Sequence, residues 1–80
     1  MEVAYLLVNC LRGKFKIAAT ALRRFDEIDE LHEVYGRFDI IAKVICENKH
    51  ELKAFVQNKL QIAEGVKYAE TLIGSDIESD

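Results

Sequence analysis

The chain has 80 residues, half of them apolar and 31% charged, with 11 basic and 14 acidic side chains giving a net charge of −3. That balance belongs to a folded chain at or below the size of one ordinary domain, not to a disordered one. Its longest apolar runs, such as Val3–Val8, fall far short of the roughly 20 residues that cross a bilayer. Glu2 does not fit a secretory leader, and an acidic balance without a basic stripe argues against nucleic acid as a direct partner. A cytoplasmic protein with reduced thiols is the expectation. So short a chain buries only about 60–65% of the surface its unfolded form exposes, and added stability is expected from association.

Val3–Cys10 is short, apolar and followed by Gly13, which predicts a buried strand. From Lys14 the period changes: Phe15, Ala18, Ala19, Leu22 and Phe25 recur at helical spacing, with Lys14, Lys16, Thr20, Arg23 and Arg24 on the other face. Ile28–Gly36 alternates imperfectly as a second strand, Gly36 and Arg37 form a tight connection, and Phe38–Glu47 is the most strand-like stretch of all. Asn48 is a good helix N-cap with Glu51 as its capping-box partner, and Leu52, Phe55, Val56, Leu60 and Ala63 form a second amphipathic stripe ending near Gly65. Val66–Ile73 is a last strand. The expected organisation is one domain over residues 1–74 and a loose acidic tail over 75–80.

The order βαββαβ is the ferredoxin-like arrangement, an α+β fold with a four-stranded antiparallel sheet and two helices on one face. The first and third strands are expected as central, parallel neighbours. Both are apolar on both sides: Val3, Tyr5 and Leu7 oppose Ala4, Leu6 and Val8, while Ile41 and Ile45 oppose Ile40, Ala42 and Val44. Left wet, the uncovered face would expose an apolar patch on the order of several hundred Å², so it is expected to pack on a second copy, as a dimeric α+β barrel.

Catalytic and metal chemistry are sparse. Cys10 and Cys46 end the two central strands and, if near each other, could form a redox pair or a metal site with His32 or His50. Without CxxC or HxxxH spacing, two core cysteines and two solvent-facing histidines are the favoured reading. The acids around Asp26–Glu33 read as a solvated strand edge. No catalytic residue, metal ligand or cofactor is assigned. A small dimeric α+β-barrel enzyme, monooxygenase- or isomerase-like, is the alternative; it would need a cavity lined by His32 or Tyr68. An ACT-like amino-acid-binding domain is a third reading, with its sheets paired side by side.

One segment is unusual. Val34-Tyr35-Gly36-Arg37-Phe38-Asp39 sets a glycine in the hairpin and an acid three residues later, at the mouth of an apolar strand. Local pattern favours a plain β-turn, with Gly36 at positive φ and Asp39 accepting amide hydrogen bonds. The other reading is a ligand loop: backbone N–H groups around Gly36 for a carboxylate, Asp39 for an ammonium, which are the complementary halves of a free amino acid.

Tyr35-Gly36-Arg37-Phe38-Asp39-Ile40-Ile41, Glu51-Leu52-Lys53-Ala54-Phe55-Val56 and Gly65-Val66 resemble the effector (RAM) domain of the Lrp/AsnC regulators. Ala4-Tyr5-Leu6-Leu7-Val8 and Glu70-Thr71-Leu72-Ile73 fit as well. The resemblance spans about residue 3 to 73, and its most specific element is the Gly-x-x-Asp hairpin. It implies a βαββαβ fold, dimers that face their sheets, assembly of dimers into octamer-like rings, and small effectors, chiefly amino acids, bound between dimers. By position, Gly36, Arg37, Phe38 and Asp39 are the ligand-binding candidates, with Tyr35 and Thr71 as neighbours. The family's helix-turn-helix domain would precede the first effector strand, so the expectation is a stand-alone effector module that joins full-length Lrp/AsnC regulators without contacting DNA itself.

Overall fold

The computed structural model describes residues 1–73; the expected acidic tail at 75–80 lies outside the described residues. The elements are β1 (Glu2–Cys10), α1 (Phe15–Arg23), β2 (Ile28–Glu33), β3 (Ile40–Cys46), α2 (Lys49–Ala54) and β4 (Val66–Ile73). After Ala54 the helix continues as a π turn, Phe55–Lys59, and a 3₁₀ turn, Leu60–Ile62. The strands form one sheet in the order β2-β3-β1-β4, every neighbouring pair antiparallel. The ferredoxin-like order is as expected; the direction of the central pair is not. A crossover helix returns the chain so that β2 runs with β1, and the hairpin then reverses it, which leaves β3 antiparallel to β1.

That reversal separates the cysteines. Cys46 pairs with Glu2 at one end of β1, and Cys10 stands at the other end, roughly 25 Å away at strand rise. Both thiols are pushed up from 9.0, first by burial; nearby carboxylates add to this, Asp39 at Cys10 and Glu27 and Glu51 at Cys46. Protonated thiols that far apart are neither a redox pair nor a shared metal site, and no metal-ligating cluster exists among the described residues.

The period-2 pattern of the central strands sorts their side chains cleanly. Ala4, Leu6 and Val8 of β1 and Ile40, Ala42, Val44 and Cys46 of β3 are buried, together with Ala18, Ala19 and Leu22 of α1 and Leu52, Phe55 and Leu60 of the second helical segment. Both helices therefore cover one face. Each large apolar side chain in this layer contributes about 1.5–3 kcal/mol by leaving water. Phe25 meets Phe55 edge-on at 5.5 Å, tying the end of α1 to the π turn.

Across the sheet, register places Val3, Tyr5 and Leu7 beside Ile45, Lys43 and Ile41, with Leu72, Glu70 and Tyr68 of β4 and Glu30 and His32 of β2 on the flanks. None of these is buried, and no element of the described chain covers them. No helix among the described residues is long and apolar enough to cross a membrane.

The helix ends follow their sequences with adjustments. Asn48 Oδ1 accepts the Glu51 N–H at 2.8 Å, but Glu51 Oε1 reaches the N–H of Glu47, at 3.4 Å, one residue before the cap. Gly65 has φ +84, and a Cβ there would stand 2.9 Å from the Ala18 amide nitrogen. Glycine is thus required both by its left-handed backbone and by the start of α1 lying against it.

Candidate functional site

The expected two-residue connection is a six-residue loop, 34–39, since β2 stops at Glu33 and β3 starts at Ile40. The Val34 N–H donates to the Asp39 carbonyl at 2.9 Å, closing the loop, and the Asp39 N–H donates to the Val8 carbonyl at 2.9 Å. Phe38 is apolar enough to read as strand but lies outside the ladder.

Asp39 is fixed by a contact that no local pattern contains. Its Oδ2 accepts the Cys10 N–H at 2.8 Å, across 29 residues of sequence. The ladder between β1 and β3 ends at Val8 and Ile40, two residues before Cys10, so β3 offers the Cys10 N–H no backbone acceptor. An amide beyond the last β1–β3 pair still needs an acceptor, and the carboxylate supplies it. The neighbouring Leu11 N–H goes to the Gly65 carbonyl at 2.8 Å, so the loop, the end of β1 and the start of β4 are fastened at one end of the sheet.

Above this base the loop is open. Tyr35 is 91% exposed, Gly36 and Arg37 are exposed, and Phe38 is half-buried. Gly36 has φ +121, yet a Cβ there would meet nothing within 4 Å, so glycine is required by backbone conformation and not by crowding. Among the described residues, the N–H groups of Tyr35, Gly36, Arg37 and Phe38 have no hydrogen-bond partner. A run of unpaired amides beside a carboxylate can meet an anionic group and a cationic one together.

Thr71 is not part of this loop within one chain. It pairs with Leu6 on β4, half-buried on the helix side, on the order of 14 Å from Asp39 by strand spacing. There it lines a groove of about 130 Å³ with Leu52, Val56 and Ile73. His32 and Tyr68, which the enzyme alternative would need around a cavity, both lie exposed on the open sheet face. Sequence reasoning also missed an ion pair: Lys59 Nζ donates to Glu27 Oε2 at 2.7 Å, joining the π turn to the start of β2. Opposite charges 32 residues apart left no signal that could have linked them.

Residues 3–76 match the family model described as the Lrp/AsnC ligand binding domain. The chain belongs to that family. The HTH-type transcriptional regulator FL11 of Pyrococcus furiosus is 32% identical to this Lrp/AsnC domain over 71 residues, which are 89% of this chain and 46% of that protein. The chain thus spans about half the length of the curated relatives it matches. The crystal structure of FFRP-DM1 has a TM-score of 0.88 at 27% identity, covering 92% of this chain and 99% of that one. A transcriptional regulator of Neisseria meningitidis, solved as a complex with L-Met, has a TM-score of 0.81 at 19% identity and covers 90% of this chain and 48% of that one.

Proposed function

We propose that this Lrp/AsnC domain is a sensor of a free amino acid or closely related metabolite, and that the 34–39 loop is its ligand-binding element. The reading rests on one observation: four consecutive unpaired amides, Tyr35 to Phe38, next to the Asp39 carboxylate. The amides suit the ligand's carboxylate and Asp39 its ammonium; the exposed Arg37 and half-buried Phe38 are placed to select its side chain. In a single chain the loop is open to solvent, so a second copy would complete the pocket. Two copies would pair through the open sheet face, and dimers would then associate into larger assemblies. Binding would act on transcription by linkage: a ligand that prefers one assembly stabilises it, and full-length regulators with the same domain would respond by joining it.

Thermal unfolding in the presence of each of the 20 amino acids tests this. At least one should raise the melting temperature, since a ligand at 100 times its Kd adds about 2.7 kcal/mol. That corresponds to several degrees or more for a domain of this size. Asp39→Asn keeps an acceptor for the Cys10 amide and removes the charge, so it should leave the ligand-free melting temperature nearly unchanged and abolish the shift. If no amino acid shifts wild type, or the Asp39→Asn variant responds as wild type does, the proposal fails.

A further inference from the structure

Total composition denies a basic stripe, but the bases are not spread evenly along the chain. Residues 3–25 carry Arg12, Lys14, Lys16, Arg23 and Arg24 and no acid. Among the described residues none of the five forms an ion pair. The first turn of α1 has no acidic residue, so Lys14 and Lys16 stand uncompensated at the end where the helix dipole is already positive. A local cost with no local return marks residues kept for something other than the stability of the chain.

Two of these bases border a groove. α1 packs beside β2, and as the crossover between two strands of the same direction it runs opposite to both. Phe15 and Lys16 therefore lie over the end of β2, and Arg23 lies over its beginning. Register sets Leu31 opposite Ala42 and Glu33 opposite Ile40, on the helix side of the sheet. Between the two elements is a groove of about 360 Å³ lined by Phe15, Lys16, Thr20, Arg23, Leu31 and Glu33, within the range that holds a small metabolite. Phe15 and Leu31 are half-buried and form an apolar floor, and the four polar side chains are exposed. The chemistry changes along its length. Phe15, Lys16 and Glu33 stand at one end, Thr20 in the middle, and Arg23 at the other end, about 12 Å from Phe15 by helical rise. Glu33 shares the groove with both bases and pairs with neither.

We propose that this groove binds an adenine nucleotide of the size of AMP. Arg23 and the Thr20 hydroxyl donate to the phosphate, and the base lies on Phe15 and Leu31. Glu33 accepts from the exocyclic amine of the base, while Lys16 donates to the ring nitrogen beside it. A donor and an acceptor in that order fit the edge of adenine. They oppose the edge of guanine, which sets a carbonyl against Glu33 and an N–H against Lys16. Cytosine shares the adenine edge but covers less of the apolar floor. A long polyanion is disfavoured, because it would also run over Asp26, Asp29 and Glu30 on and before β2. A free amino acid has neither the length nor the planar body. The groove adjoins the 34–39 loop at Glu33 and shares no residue with it, so the inference does not rest on the amino-acid reading.

Isothermal titration of the whole chain with AMP tests this. AMP should bind saturably, one per chain, with a Kd below about 1 mM. Inorganic phosphate and GMP should each bind about tenfold or more weakly, with CMP between AMP and GMP. Arg23→Gln should weaken AMP by about tenfold, and Glu33→Ala should remove the preference for AMP over GMP. Asp39→Asn, which lies outside the groove, should bind AMP as wild type does. Heteronuclear NMR on wild type needs no variant to fold: AMP should move the amides of Phe15, Thr20, Arg23 and Leu31 and leave those of Gly36 and Arg37 in place. Absence of saturable binding, equal affinity for AMP and inorganic phosphate, shifts centred on the 34–39 loop, or a folded Arg23→Gln variant that binds AMP like wild type would each overturn the proposal.

Discussion

Asp39 and Glu27 are both carboxylates recruited by distant groups, with different consequences. Asp39 accepts a backbone N–H from Cys10, and its requirement there is for an acceptor, which Asn also provides. Glu27 accepts from Lys59, and that hydrogen bond holds its carboxyl below the ordinary 4.5 despite opposition from burial. A depressed carboxylate contributes stability that is present above its unfolded value and lost as pH falls through the lower folded value. Glu27→Gln should therefore unfold at lower urea than wild type near neutral pH, with the gap closing as pH falls below 4.5. Urea midpoints measured across that interval check it. The gap should be small, because Lys59 is half-exposed and Glu27 Oε1 is buried without a partner.

At the scale of elements, period and capping carried most of the information. The βαββαβ order was enough to place both helices on one side, and the spacing of Ala18, Ala19 and Leu22 marked the face of α1 that packs there. Three features were not legible. The loop is longer than it reads because Phe38 has strand propensity, whereas the Val34–Asp39 hydrogen bond decides where pairing stops. The change from α to π turn at Phe55 leaves the apolar stripe intact, so nothing in the spacing marks it. Gly65 reads as a helix stop, but its closeness to Ala18 joins elements far apart in sequence. Gly65→Ala should cost about 1–3 kcal/mol from backbone strain and overpacking. Gly36→Ala, free of the second term, should cost less; denaturant unfolding of the pair separates conformation from crowding.

For the molecule as a whole, the largest unmet requirement is the outer sheet face. Val3, Tyr5, Leu7, Ile41 and Ile45 lie at its centre around Lys43, with Leu72, Glu70, Tyr68, Glu30 and His32 on the flanks. Leu7→Glu leaves the helix-side core untouched and, if copies pair through this face as proposed, should halve the mass seen in light scattering, whereas Leu6→Ala, one residue away, should unfold the chain more easily by about 2–5 kcal/mol. The family relationship was legible because it rests on the hairpin and the apolar pattern; the placement of Thr71 was not, since its loose match to the last strand did not show that it lies on the helix side with Leu52 and Val56.

The end of the sheet where β1 runs on past β3 acts as a latch. One Asp39 carboxylate holds Cys10, and the adjoining Leu11 holds Gly65, which in turn lies against the start of α1. In the proposed reading, a ligand ammonium drawn to that carboxylate would compete with the amide it already serves. Occupancy of the loop and fastening of the strand would then draw on the same two oxygens, so a strong grip on the ligand would loosen the joint beneath it. The domain's response to a small molecule would begin as slack at that joint, carried along β1 toward the helix whose basic face looks outward.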